Sequence, residues 1–254
     1  MELTRHCFAV TGLAHETGFS VNAGFVIGDG ETLIIDSAFN YLSAQTILGY
    51  AKASAPKNKI RYLINTEIHF DHTLGNSVFK EIGAEIVACN KTSYDTSADM
   101  GWIIKRMNES LTSEFKDQKD SKKGEKFFAH TIICNPDKFI KKDTSLNVGG
   151  IKVELILTPG HTDTNISVYI PEERVIYVGD LIYSKYIPTL RFGNHKLWEL
   201  WIRSLEKLKE MKIEILVPGH GLICRNGEIY EEIERHKKFL TGAIAGNREW
   251  WKTE

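Results

Sequence analysis

Four short stretches of this 254-residue chain gather side chains that ligate metals. The first, Asn65-Thr66-Glu67-Ile68-His69-Phe70-Asp71-His72-Thr73, follows the apolar run Ile60 to Ile64. Side chains two apart share a face of an extended backbone, so Glu67, His69 and Asp71 are expected to converge, with His72 entering as a helix begins. In the second, Thr158-Pro159-Gly160-His161-Thr162, Pro and Gly stop a strand and present an imidazole from a tight turn. Val178-Gly179-Asp180 places a carboxylate at the end of an apolar strand, and Val217-Pro218-Gly219-His220-Gly221 repeats the Pro-Gly-His device. A lone Pro-Gly-His or Gly-Asp is ordinarily a turn. The Glu-x-His-x-Asp-His cluster is more specific, because charged and imidazole groups crowded at one strand end are tolerable mainly around a cation. Together the four stretches supply four imidazoles and three carboxylates, enough donors for two divalent ions. The chemistry of such a pair is hydrolysis by activated water.

These side chains need a scaffold of strands that end in one place. Apolar runs at Phe8 to Leu13, Val21 to Ile27 and Thr32 to Ile35 read as strands, the last two joined into a hairpin by Gly28-Asp29-Gly30. Helical spacing from about Tyr41 to Ala53 ends at Pro56 and the polar residues after it, and strands follow at Ile60 to Ile64 and Glu85 to Ala88. The stretch from Ser93 to Lys126 is charged and helix-compatible, and reads as a helical insertion. The second half gives strands at Ile151 to Leu157, Ile166 to Ile170, Val175 to Val178 and Ile213 to Val217, with helices at Leu197 to Met211 and about Glu228 to Thr241. Two halves of like element order suggest a two-sheet sandwich with helices outside, formed by a single domain over 1–254 with an insertion at about 93–126.

Composition narrows the class. Hydrophobic residues make up 42% and charged residues 26%, the balance of a globular chain. A formal net charge of -1 offers no general field for a polyanion, so nucleic acid is not expected as a partner. Charges interrupt the apolar residues of the opening MELTRHCFAV, so neither a signal peptide nor a membrane anchor is expected, and a cytoplasmic location is the expectation. Cys7, Cys89, Cys134 and Cys224 form no CxxC pair and read as reduced thiols.

The order Glu-x-His-x-Asp-His, Pro-Gly-His-Thr, Gly-Asp and Pro-Gly-His resembles the metallo-β-lactamase superfamily, whose usual first motif is His-x-His-x-Asp-His. The resemblance spans nearly the whole chain, with Phe25 to Asp36 similar to the family's early hairpin and Trp198 to Gly221 to its last helix and ligand loop. It implies an α/β fold, a four-layered αββα sandwich with metals at one edge. Carried over position by position, Glu67, His69 and His161 hold one metal, Asp71, His72 and His220 hold the second, and Asp180 bridges them. Glu67 departs from the family pattern by bringing an anionic oxygen where a neutral nitrogen is usual. That lowers the net charge of the site and shifts its preference toward harder ions such as Mn(II) or Fe(II), with zinc remaining first choice.

What the resemblance implies functionally is a dinuclear metal-dependent hydrolase. A metal-bridging hydroxide would attack a small ester, thioester or lactam, β-lactamase-like, bound between the 93–126 insertion and the loop after Asp180. The alternatives are a phosphodiesterase, or a di-iron or mononuclear-iron oxidoreductase of the same fold. Asp71 is expected to orient the hydroxide and carry a proton to the leaving group. Tyr183 and His195, in the segment after Asp180, are candidate donors to a substrate oxyanion. His6, His15, His130 and His236 fall outside every motif and read as surface or core residues. Trp250 and Trp251 are surface that a partner subunit of a homo-oligomer could cover.

Overall fold

The computed structural model describes residues 1–14, 20–89 and 126–246. The 93–126 insertion, apart from Lys126, lies outside the described residues, as do His15, Trp250 and Trp251.

The first half builds β1 (Cys7–Leu13), β2 (Val21–Ile27), β3 (Glu31–Ile35), α1 (Tyr41–Ser54), β4 (Lys59–Ile64), α2 (Phe70–Thr73), α3 (Asn76–Glu81) and β5 (Glu85–Cys89). The β2–β3 hairpin expected at Gly28-Asp29-Gly30 forms, with Gly24 opposite Ile35 and Ile27 opposite Thr32. Helix α1 starts where the Asn40 side chain accepts the Ser43 N–H at 2.8 Å, a polar cap for otherwise orphaned donors. The second half builds β6 (Lys138–Ile140), β7 (Thr144–Val148), β8 (Ile151–Leu157), β9 (Ile166–Ile170), β10 (Val175–Tyr183), α4 (His195–Lys209), β11 (Ile215–His220), β12 (Cys224–Arg225) and α5 (Gly227–Ile244).

Strand order runs β6-β5-β4-β3-β2-β11-β10-β9-β8-β7, with β1 on β2 and β12 on β11. The β2–β11 link is a single pairing, Val21 with His220, so the sheet is two leaves hinged at that point. Alternation along the strands separates the layers. Leu33, Ile35 and Ile64 of one leaf share a core with Val153, Leu155, Val168 and Tyr177 of the other. Ile34 faces the opposite way, into a second core with Ile47, Val78 and Phe79 of α1 and α3. Ile176 and Val178 likewise face Trp201, Leu205, Ile233 and Leu240 of α4 and α5. Helix, sheet, sheet, helix is therefore the order of layers, and the expected αββα sandwich is what the chain adopts. No helix among the described residues is long and apolar enough to cross a membrane.

Candidate metal centre

The metal-type side chains lie where the two leaves meet. Strand β4 ends at Ile64, and the chain then bends through residues 66–69 instead of staying extended, so convergence does not come from two-residue alternation. The bend is held by Asp36, just beyond β3, whose carboxylate accepts the Thr66 N–H and the Thr66 hydroxyl, each at 2.7 Å. Glu67 thereby points inward, fully buried, and the single turn of α2 carries Asp71 and His72 back toward it. Asp36 also pairs with Nδ1 of His72 at 2.9 Å. That bond places a proton on Nδ1 and leaves Nε2 as the nitrogen that could ligate a metal.

The second leaf supplies the rest through close backbone approaches. In the 158–162 turn the Gly160 N–H donates to the Thr162 carbonyl, and a Cβ on Gly160 would lie 2.7 Å from the Trp201 ring. Asp180 lies within β10, not at its end: Gly179 takes a φ of +53° where the register with β11 shifts, and the strand resumes to Tyr183. Similarly, Pro218-Gly219-His220 belongs to β11 and is no free turn. A Cβ on Gly219 would sit 2.0 Å from an Asp180 carboxylate oxygen, so only glycine lets the two strands bring Asp180 and His220 together. Nδ1 of His220 faces the Ser20 carbonyl at 2.8 Å, and the Asn22 amide donates to the carbonyls of Pro218 and Gly221.

All seven residues expected from the sequence come together, in two groups that share Asp180 and could each hold a metal ion: Glu67, His69, His161 and Asp180, and Asp71, His72, Asp180 and His220. In the first, Nδ1 of His69 is 2.9 Å from Glu67 Oε2 and 3.1 Å from Nε2 of His161, while Asp180 Oδ2 is 3.6 Å from that same Nε2. In the second, Asp180 Oδ1 lies 3.1 Å from Nε2 of His72 and 3.3 Å from Nε2 of His220, and Asp71 Oδ2 lies 3.1 Å from His220 Nε2. The two oxygens of Asp180 thus serve different groups. Burial opposes the ionised forms of His69, Asp71, His72, Asp180 and His220, yet these groups charge one another. His69 is pushed up to about 9, its burial outweighed by Glu67. His72 and His220 are raised well above the ordinary imidazole range, burial again being overcome, chiefly by Asp180. Against burial, His72 and His220 hold Asp71 down at about 2, and they keep Asp180 well below the carboxylate range. The field that draws protons onto these imidazoles is one that suits divalent cations. The mixed oxygen and nitrogen donors fit zinc, manganese or iron.

Tyr183 joins the cluster. Its hydroxyl donates a short hydrogen bond to Asp180 Oδ2, lies 3.3 Å from Nε2 of His161, and its ring stacks on His220 at 5.2 Å. His195 does not: it stands exposed at the start of α4 with its ring against Trp198, and no contact among the described residues ties it to the seven. Sequence reasoning also passed over three contributors. Asp36 carries no motif, and only its place just after β3 could have drawn attention to it. Phe192 lays its ring on His69 at 4.2 Å and near His161 at 5.6 Å. His236, fully buried in α5, accepts the Tyr183 N–H at 2.9 Å on Nε2, while Arg235 donates to the Tyr183 carbonyl at 2.6 Å.

Comparison with known proteins agrees with this geometry. The sequence profile of the metallo-beta-lactamase superfamily matches residues 17–220. Over 222 residues the chain is 22% identical to a linear primary-alkylsulfatase from Pseudomonas sp., covering 80% of this chain and 42% of that protein. Over 93 residues it is 38% identical to a hydroxyacylglutathione hydrolase from Brucella ovis, covering 35% of this chain and 31% of that protein. The chain thus spans less than half the length of either curated relative. Among solved structures, a metallo-beta-lactamase family protein from Thermus thermophilus superimposes with a TM-score of 0.71 at 18% identity, over 96% of this chain and 82% of that one.

Proposed function

Because the chain belongs to the metallo-β-lactamase superfamily, a family of metal-dependent hydrolases, we propose that its seven-residue cluster holds two divalent cations and hydrolyses a small ester, thioester or lactam. One observation carries the reading: Asp180 offers one oxygen to each ligand group, the arrangement needed for a carboxylate shared by two ions. Two cations held there, zinc first among them, would supply Lewis acidity that brings bound water to ionise near neutral pH and polarises the substrate carbonyl.

The chain's own residues do the remainder. Glu67, His69 and His161 are assigned to one ion, Asp71, His72 and His220 to the other. Glu67 puts a third carboxylate among the ligands, which favours retention of both ions and admits manganese or iron. Asp71 is the carboxylate of the set with the most solvent contact, so it is placed to orient the attacking water and pass its proton outward. Tyr183 presents its hydroxyl between Asp180 and His161, where it can turn to donate to an oxyanion. In the overall reaction the water oxygen bonds to the acyl carbon, the bond from that carbon to oxygen, sulfur or nitrogen breaks, and a water proton ends on the leaving group.

The partial similarity to a hydroxyacylglutathione hydrolase supports acyl transfer to water as the reaction class. The test is turnover of the metal-loaded protein on a panel of esters, thioesters, lactams, phosphodiesters and alkyl sulfates, with oxygen uptake followed in parallel. Hydrolysis in the first three classes, lost in Asp71→Ala, is the expected outcome. Turnover confined to phosphodiesters, or oxygen consumption without hydrolysis, would replace the reading by one of its alternatives.

A further inference from the structure

The loops that follow β10 and β11 carry an unusual share of bare apolar surface. Of the twelve large hydrophobic side chains that stand exposed among the described residues, four lie on the loops leaving Asp180 and His220: Tyr186, Ile187, Phe192 and Leu222. These side chains are 55%, 58%, 49% and 68% exposed. The two loops are pressed together, since the Ser184 N–H donates to the His220 carbonyl at 3.0 Å and a Cβ on Gly221 would fall 1.9 Å from the Ser184 carbonyl. Phe192 is the most telling of the four. One part of its ring rests on the imidazoles of His69 and His161, and about half of the residue is left open. A phenyl ring is not needed to orient either histidine, because Glu67 and Tyr183 already bond to them. Apolar surface exposed directly over polar ligands costs solvation unless something covers it during function.

We propose that Phe192, on its open side over His69 and His161, forms an apolar subsite for an alkyl chain of the substrate, so that the preferred substrates are esters or thioesters bearing a linear hydrocarbon chain next to the scissile carbonyl. This rests on the hydrolase reading, but the subsite is testable without turnover. The chain belongs either to the acyl part or to the leaving group, and both place the same hydrocarbon on the same ring.

The probe is a series of linear alkyl hydroxamic acids, from acetyl to octanoyl, titrated calorimetrically into the metal-loaded protein. Each methylene covered is expected to tighten binding about two- to fourfold until the ring is covered. In Phe192→Ala that dependence should flatten, with the octanoyl-to-acetyl affinity ratio falling about tenfold or more, and Phe192→Leu should restore most of it. Metal content and melting temperature of each variant separate this from collapse of the site. Affinity independent of chain length in the wild type, or an unchanged slope in Phe192→Ala, overturns the proposal. A parallel kinetic arm uses thioesters of increasing acyl length and acetate esters of increasing alcohol length. A slope in one series assigns the chain to that side and supports the subsite. Length-dependent binding with no hydrolysis of any ester supports the subsite while removing the reaction assigned to it.

Discussion

At the scale of single residues, the site depends on groups that lie outside the four metal-ligand stretches. Asp36 fixes both the Thr66 bend and the His72 tautomer from one buried carboxylate, so its removal should act on the ions through His72. Asp36→Ala is expected to weaken binding at the Asp71, His72, His220 group about 10- to 100-fold, read by competition with a chromophoric chelator. Unchanged affinity would show that the His72 ring is held by packing alone. The seven clustered residues were legible because His, Asp and Glu beside Gly or Pro after apolar runs are conspicuous. Asp36 and His236 were not, because each works through hydrogen bonds to residues 36 and 53 positions away, which no local pattern encodes. His195 illustrates the converse: nearness in sequence to Asp180 made it a candidate, but the Asn194 cap starts α4 there and turns it to solvent.

Among the elements, strands were read well wherever alternation or apolar runs met turn residues. Val21–Ile27, Ile151–Leu157 and Ile166–Ile170 fall where the pattern puts them. The misreadings share a cause, which is that glycine and proline were taken as terminators. In β10 the positive φ of Gly179 makes a bulge that the strand survives, and in β11 Pro218 and Gly219 remain paired or packed against β10. Short β6 and β12 have too few residues to show a period, and each exists only by pairing with a neighbour. The close passage at Gly219 gives the sharpest element-scale prediction. Gly219→Ala must push β11 from Asp180, so it should lower metal occupancy and cost about 1–3 kcal/mol in chemical unfolding. A variant with wild-type stability and full occupancy would mean that the strands part without disturbing the carboxylate.

For the whole molecule, the centre sits at the hinge between leaves, with Glu67, His69, Asp71 and His72 from one and His161, Asp180 and His220 from the other. Ions held there would cross-link the two halves of the sandwich. Behind them, α5 keeps Tyr183 in place through a neutral imidazole: burial, aided by Arg235, depresses His236 from 6.5 to about 3. Below pH 6.5 the unfolded chain takes up a proton that the folded one refuses, so stability should fall as pH drops through the window from 6.5 to about 3. This group alone contributes about 1.4 kcal/mol per pH unit within that window. Urea unfolding of chelator-treated protein should show the slope reduced in His236→Gln; an identical slope would mean that His236 is protonated in the fold. The most direct test of the centre itself is the metal content of native protein, measured by mass spectrometry beside Asp180→Ala. Two equivalents of divalent ion per chain, falling to one or fewer in the variant, is the result expected of a shared carboxylate. A wild-type protein without metal, or a variant that keeps both ions, would contradict it.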